Sequence, residues 1–549
     1  MTGIHPHNQA PELKDYNVYT SDPVLQRAVT RGGAQWRDPE LQRQGAEYGA
    51  EATLRAAEEA NHFEPELHTH SPSGDRIDQV RFHPAWHQMM TIARRNGISN
   101  LPFTDQRQTA WAAYGASLFM HSQIESGSTC PTTMTKASIP LVRINPQLNA
   151  TLGPLLESTD YDARDIPAEG KRSITVGMGM TERQGGSDVR SNTTRAVALN
   201  PSGSSGPWGE EYLITGHKWF FSAPMCDGHL VLAKTEERGP TCFFVPRWRP
   251  DGSKNAIHIQ RLKDKVGNRS NSSSEVEFDD AWGVLIGQEG RGISTIIEMA
   301  TYTRLDCALS SAGFMRQALV QALHYTRNRH AFGLPLAEQP VMTGLLADMA
   351  LESEAATWLA MDLAARFGSE DPLDQAWRRI VTPAAKFWNC KRAVGYTGEA
   401  MEVFGGNGYV ETGPMGRLFR EAPVNSIWEG SGNVMCLDVL RAIARNPDDA
   451  HLLLDHLREV GSEEAVLRAQ VDKLRQAIML PPQDLEREAR RFTQRLAITV
   501  QATLMLQHAG SDSASAFIGS RFDPDWGPVA GVACASNDPA ALLRNAWAG

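Results

Sequence analysis

Apolar positions along the chain change their period twice. Between Gln108 and Gln123, Trp111, Tyr114, Leu118 and Phe119 fall at i, i+3, i+7 and i+8, the spacing of a helix with one face in a core. Upstream, from about Gln35 to Pro84, charge and histidine dominate, which reads as helices joined by long surface loops. From about Arg172 to Gly287 the runs are short and alternating: Tyr212–Ile214, Trp219–Phe221, Leu230–Ala233, Thr241–Val245, Ile257–Ile259 and Val276–Phe278. Gly, Pro, Asn and Ser clusters separate them, the Pro201–Gly209 cluster reading as a surface loop, and the spacing predicts a compact antiparallel β-sandwich or barrel. No long helix alternates with these runs, which argues against a doubly wound parallel sheet.

Helical spacing returns at Gly292, through Ile293, Ile296, Ile297, Ala300, Leu305, Ala308, Leu309 and Ala312, and continues to Arg329. Pro340 to Phe367, Leu373 to Phe404 and Val434 to Arg445 follow, so four long helices with short links predict an antiparallel four-helix bundle. Asn446-Pro447-Asp448 breaks the pattern. His451–Gly461, Glu463–Met479 and Pro482–His508 read as further helices; from Ala509 Gly, Ser, Asp and Pro dominate, and no element is predicted until Pro539–Ala548. The fold class is therefore α+β: an N-terminal helical domain over 1–175, a middle β domain over 176–287, a helical bundle over 288–446 and an extra C-terminal helical domain over 447–549.

Composition narrows the chemistry. Of 549 residues 41% are hydrophobic and 21% charged, which excludes a mainly disordered chain. No run approaches the ~18 apolar residues of a membrane span, and Met1–Leu13 lacks the basic and apolar regions of a signal peptide, so a cytoplasmic protein is expected. The seven cysteines (130, 226, 242, 307, 390, 436, 534) form no C-x-x-C pair, which leaves neither zinc ribbon nor dithiol motif, and no metal is expected. There is no phosphate-cradling G-x-x-x-x-G-K-[ST], no G-x-G-x-x-G between strand and helix, no G-x-S-x-G and no H-E-x-x-H.

Two glycine-containing segments remain. Gly177-Met178-Gly179-Met180-Thr181-Glu182-Arg183-Gln184-Gly185-Gly186-Ser187-Asp188-Val189 leads from an apolar stretch into a loop whose amides lack a shielding Cβ, so it either approaches an anionic or heteroaromatic ligand or turns a β-corner. In Pro423-Val424-Asn425-Ser426-Ile427-Trp428-Glu429-Gly430-Ser431-Gly432-Asn433 a lone carboxylate follows an Ile-Trp pair. Desolvation there raises a carboxyl toward a useful base. The alternative is an N-cap loop, with Ser431 or Asn433 capping the next helix and Glu429 solvated.

Both segments, in a helix–sheet–helix frame, resemble the acyl-CoA dehydrogenase family of flavoproteins over roughly Asp78 to Arg445. The resemblance implies FAD held by Met178, Met180, Thr181, Gly186 and Ser187, with Met180 and Thr181 on the isoalloxazine and Ser187 near the pyrophosphate. Gly216-His217-Lys218-Trp219-Phe220-Phe221-Ser222 is similar to the next flavin-contact strand and implies Phe220, Phe221 and Ser222 as contacts, the Ser222 hydroxyl facing N5; the family's usual Trp and Thr are Phe220 and Ser222 here. Arg329-His330-Ala331-Phe332-Gly333 and Glu402-Val403-Phe404-Gly405-Gly406-Asn407-Gly408 resemble elements that reach a neighbouring subunit's dinucleotide, which implies Arg329, Phe332, Gly405 and Gly406 as contacts and a homotetramer; the usual Gln is Glu402. Trp428, Gly430, Ser431 and Asn433 complete the implied cofactor set. Glu429 is the implied base, removing the α-proton of an acyl-CoA thioester while the β-hydrogen leaves as hydride to the flavin. Arg304 resembles a family arginine near that loop, its alternative role being a buried structural ion pair.

A closer likeness is to the family's alkylation-response branch, carried by Asn268-Arg269-Ser270-Asn271, Thr382-Pro383-Ala384-Ala385-Lys386-Phe387, Arg81-Phe82-His83-Pro84-Ala85-Trp86-His87 and the hundred or so residues after the bundle. That branch implies double-stranded DNA binding, a part in the adaptive response to DNA alkylation, and weak oxidation of short branched, isovaleryl-CoA-like substrates. With 54 basic against 64 acidic residues the chain is not basic overall, so DNA binding needs a local patch. Arg487, Arg490, Arg491 and Arg495 share one helix face, and Arg441, Arg445, Lys473, Arg475 and Arg521 are the further candidates; the alternative is a solvated face paired to Glu486 and Glu488. Two other readings stay open: a non-catalytic flavin-containing DNA-shielding protein, and an ordinary acyl-CoA dehydrogenase without DNA binding.

Overall fold

The computed structural model describes residues 8–200, 205–532 and 538–549; Cys534 and the first part of the Pro201–Gly209 loop lie outside them. It has the expected α+β architecture, helices on either side of a β domain in the chain. By its contacts the chain forms two compact units, Arg55–Gln106 with Glu125–Thr303, and Met1–Leu54 with Arg107–Ile124 and Arg304–Gly549.

The first of these is built on a sheet. A hairpin, β1 (Glu66–His70) and β2 (Arg76–Arg81), turns through Ser71–Asp75, where the region had read as helices and loops. Ser71 and Ser73 hydroxyls both donate to the Asp75 carboxylate, side-chain bonds that favour a turn over a helix. Seven strands follow: β3 (Val176–Gly179), β4 (Arg195–Ala198), β5 (Glu211–Ser222), β6 (Gly228–Thr235), β7 (Gly239–Pro246), β8 (Ile257–Leu262) and β9 (Ser273–Ile286). β6, β7, β9, β5 and β4 pair in turn and β4 returns to β6, so the sheet closes as a barrel, with β3 on β6 and β8 on β9. Ile214, Phe221, Val231, Phe243, Ile259, Val276 and Phe278 fill it. The sheet is mixed rather than antiparallel, since β3 and β4 run parallel to β6. Asp227 aligns the starts of β3 and β6: its carboxylate accepts from the Thr175 amide at 2.8 Å and pairs with Lys171 at 2.5 Å.

The other unit is helical. Helix Ala110–Ile124 is buried at every position rather than along one stripe, because Ala112, Ala113, Gly115 and Ala116 admit neighbours on the remaining faces; a Cβ on Gly115 would lie 3.0 Å from that of Ala364. Gly292–Asn328, Pro340–Arg366, Pro372–Val403 and Gly432–Arg445 are the four long helices, and Pro414–Asn425 adds a fifth that the periodicity missed. After Asn446 come Pro447–Val460, Ala465–Ile478, Pro482–Arg487, Ala489–His508, Ser511–Arg521 and Pro539–Ala546. Helix Ser511–Arg521, where no element was expected, buries Phe517 completely. No helix among the described residues is long and apolar enough to cross a membrane, and none of their His, Cys, Asp and Glu side chains cluster as a metal site.

Candidate functional site

In the barrel unit the Gly-Met-Gly-Met run is a strand shaped by what lies behind it. A Cβ on Gly177 would come within 2.5 Å of the His229 ring and one on Gly179 within 2.7 Å of Phe221, and those two rings stack at 3.9 Å. Only glycine at both positions lets β3 lie on that stack. Met178 is buried and Met180 half-buried. The loop that follows is tied down at each turn: the Trp219 amide donates to the Thr181 carbonyl at 2.9 Å, Asn192 to the Met180 carbonyl at 2.8 Å, and the Arg183 amide to His217 Nε2 at 3.1 Å. Gly186 closes against Thr181, whose hydroxyl would sit 2.5 Å from an added Cβ. Gly186 and Ser187 are exposed, leaving their amides open.

Beneath the loop lies a group not picked out from sequence. Glu182 and Lys218 pair at 2.8 Å with both side chains fully buried. The Glu182 carboxylate also accepts from the Thr193 and Thr194 amides at 2.6 and 3.1 Å and from Gln184 at 2.8 Å. The Lys218 ammonium and those donors hold its carboxyl well below the usual range against burial, while burial pulls Lys218 down to about 8. Lys218 in mid-strand was the available signal.

β5 carries the second contact set, with a correction. A bulge between Lys218 and Phe221 turns both residues inward, so Phe221 is completely buried in the barrel core and has no surface for a cofactor. Phe220 is 54% exposed, with Lys263 Nζ 4.6 Å from its ring, and the Ser222 hydroxyl lies 3.4 Å from that of Ser273.

The helical unit carries Glu429. The residue is half-buried, not solvated, and holds φ +57°, in the left-handed region that non-glycine residues occupy only under constraint; Gly430 follows at φ +102°. Arg304 Nε donates to the Glu429 carbonyl at 3.1 Å while its Nη2 pairs with Asp438 at 2.9 Å. Lys386 Nζ donates to the Gly430 carbonyl at 2.6 Å. Trp428 Nε1 donates to Asn425 at 3.0 Å. Ser431 stands at the N-cap position of Gly432–Arg445 without a side-chain capping bond, and Asn433 accepts from Arg490, so neither caps the helix.

The remaining elements lie in the same unit. Phe332 and Gly333, at φ +53° and +88°, form the tip of a two-residue hairpin, and the Phe332 ring is 98% exposed. Arg329 donates to the Asn8 carbonyl, and Asn8 brackets His330 with two 2.8 Å bonds. Gly405 turns at φ +57° and Gly406 is exposed, ahead of Tyr409 at 86% exposure.

The cationic candidates divide. Arg521 is withdrawn: it is buried, pairing with Asp348 at 2.5 Å and Glu352 at 3.0 Å. The single helix face is also corrected, because the helix breaks at Glu488 and leaves Arg487 on Pro482–Arg487. Arg441, Arg487 and Arg491 are paired to Asp438, Asp484 and Glu488 at 2.8, 2.9 and 3.0 Å, and Arg475 to Asp455. Arg445 and Lys473 are exposed, and Arg495 is half-buried.

Residues 8–163 match the adaptive response protein AidB N-terminal domain, 177–281 the acyl-CoA dehydrogenase middle domain and 290–444 the acyl-CoA dehydrogenase C-terminal domain. AidB of Escherichia coli (strain K12) is 45% identical over 514 residues, 93% of each chain. The chain belongs to the acyl-CoA dehydrogenase family. Within that oxidoreductase family it is AidB-like. Acyl-CoA dehydrogenase family member 11 of Caenorhabditis elegans is 28% identical, covering 78% of this chain and 71% of that one. The crystal structure of C. elegans ACDH-11 in complex with C11-CoA has the same fold, with TM-score 0.86, 24% identity, and 97% and 96% of the two chains covered.

Proposed function

We propose that this acyl-CoA dehydrogenase family member uses FAD and takes Glu429 as its catalytic base. The observation that carries the reading is the left-handed Glu429, a strained carboxylate-bearing residue whose backbone is gripped by Arg304. The barrel residues fit the cofactor: open amides at Gly186 and Ser187 suit a pyrophosphate, the exposed Phe220 ring suits a flat heteroaromatic, and Met180, Thr181 and Ser222 offer polar and apolar contacts around it. FAD, when bound, supplies the two-electron acceptor. Glu429 takes the proton from the carbon next to the thioester carbonyl, which acidifies it; one carboxylate is enough for that transfer.

The substrates are short branched acyl-CoAs of the isovaleryl-CoA kind, turned over weakly. The exposed Phe332, Tyr409 and Val341 are surfaces for a homotetramer, in which Arg329, Phe332, Gly405 and Gly406 serve a neighbour's dinucleotide. Residues 447–549 act as an extra domain that binds double-stranded DNA through Lys473, Arg475, Arg487, Arg490, Arg491 and Arg495, joined by Arg441 and Arg445 from the end of the preceding helix, in the response to alkylation damage in the cytoplasm. Own-chain carboxylates neutralise half of those cations, so the affinity for DNA is modest, and it falls with added salt less steeply than eight free cations would make it.

Anaerobic mixing with isovaleryl-CoA tests the enzymatic reading. Bleaching of flavin absorbance in the wild type and its loss in Glu429→Gln, with flavin still bound, is the expected result. Equal bleaching in the variant removes Glu429 from the role.

A further inference from the structure

Lys386 sits inside helix Pro372–Val403 and is 1% exposed. Its ammonium points at a backbone oxygen, the Gly430 carbonyl at 2.6 Å, immediately after Glu429. Two consecutive carbonyls, those of Glu429 and Gly430, thus accept from two cations on different helices. Arg304 shares its charge with Asp438 at 2.9 Å, whereas among the described residues no carboxylate pairs with Lys386. A buried ammonium is expensive to keep, and a charge-assisted bond to a carbonyl in a strained turn is a specific use for it.

We propose that Lys386 is a positioning residue for Glu429: it pins the Gly430 carbonyl, fixes the left-handed turn, and holds a positive charge beside the base. The inference rests on the reading of Glu429 given above. Left-handed backbone at a non-glycine residue persists only where the surroundings over-determine it, and here the grip falls on two consecutive carbonyls, those of Glu429 and Gly430. The charge has a second consequence. The Cys307 thiol feels Lys386, Glu429 and Asp306 alike, so the ammonium and the two carboxylates lie within electrostatic reach of one group, and removing the cation leaves the carboxylates facing each other. The other charged or titratable groups around the loop are Arg304, Asp438, Arg490, Lys391, the Cys307 and Cys390 thiols, and Asp306, whose carboxylate accepts from the Tyr114 hydroxyl at 2.7 Å; the Gly430 carbonyl accepts from Lys386.

The test uses the full chain with Lys386→Met, which keeps the length and removes donor and charge, and Lys386→Gln, which keeps a donor. Hydrogen exchange is followed with and without FAD, and the pH profile of isovaleryl-CoA oxidation is recorded. In Lys386→Met, amides 429–433 are expected to exchange about ten-fold faster while those of Gly228–Thr235 do not change. The acid limb of kcat should move up by about one pH unit, with KM altered less than about two-fold. Lys386→Gln should keep the exchange protection and show the moved limb. Unchanged exchange at 429–433, or acceleration spread through the whole helical unit, overturns the proposal; so does an unmoved acid limb in either variant. Should Lys386→Met not fold, the limb in Lys386→Gln decides. A wild type without acyl-CoA turnover removes the base reading instead, and the exchange measurement then decides the positioning role alone.

Discussion

Arg490 donates from Nη1 to the side-chain oxygen of Asn433 at 2.7 Å, joining the first turn of Ala489–His508 to the first turn of Gly432–Arg445. One partner is a DNA-binding candidate and the other lies four residues after the proposed base. A phosphate that engages Arg490 competes for that donor. Arg490→Ala is therefore expected to weaken duplex binding and to speed hydrogen exchange at 432–436. Arg491→Ala, whose partner is Glu488 at 3.0 Å, should weaken duplex binding alone. Fluorescence anisotropy at two salt concentrations, with exchange on the same samples, separates the two; identical effects on exchange refute the link.

Lys218 and Glu182 make the fold under the glycine loop sensitive to pH in two windows. The folded Glu182 carboxyl titrates below its ordinary value, so its contribution is present at neutral pH and is lost as pH falls through the acid range. Lys218 titrates at about 8 rather than 10.5; between those values the unfolded chain holds a proton that the fold has released, and stability from this group rises with pH. Glu182→Gln leaves an uncompensated buried ammonium and is expected to cost about 3–5 kcal/mol near neutral pH. The deficit should shrink above pH 8, where Lys218 sheds its proton. Denaturant unfolding of the barrel unit's signal at pH 7 and pH 9.5 checks the sign.

Much of this architecture was legible. The change from helical to alternating spacing marked the barrel, and the motifs drew attention to the Glu429 turn and the glycine loop, because those signals are local. What was illegible depended on partners distant in the chain. Nothing near Arg521 shows that Asp348 and Glu352 will enclose it. The Gly216–Ser222 motif offered Phe220 and Phe221 alike as contacts, and nothing local to it shows that a bulge buries Phe221 beside Lys218. The parallel pairing of β3 with β6 rests on Asp227 reaching back to Thr175, a contact across 52 positions. The β1–β2 hairpin did carry a local signal, the Ser71–Asp75 turn residues, obscured by the charge around it.

The two phenylalanines of β5 make opposite predictions. Phe220→Ala removes an exposed ring and should leave the unfolding midpoint within about a degree, since exposed substitutions have small effects. It should lower flavin retention by about three- to ten-fold, the value of one aromatic contact. Phe221→Ala empties a core position touching His229 and Phe278 and is expected to cost about 3–5 kcal/mol. Flavin absorbance per chain and thermal unfolding on the same preparations read both quantities.

Arg521 supplies the last expectation. Its guanidinium meets Asp348 and Glu352, and Arg392 reaches Glu352 from the other side at 3.1 Å. The Trp526 ring lies 5.5 Å from Arg521 and 5.6 Å from Arg392. Helix Ser511–Arg521 is thus fastened to Pro340–Arg366 through a buried charge cluster. Arg521→Met should remove the cation from Asp348 while Arg392 still satisfies Glu352, and breaking such a pair costs about 3–5 kcal/mol. Because the side chain is buried, the salt dependence of duplex binding should not change in the folded variant. A reduced salt slope in properly folded Arg521→Met would return this residue to the DNA-binding set, whereas a lower unfolding midpoint with an unaltered slope fixes it as the clasp of the C-terminal helices.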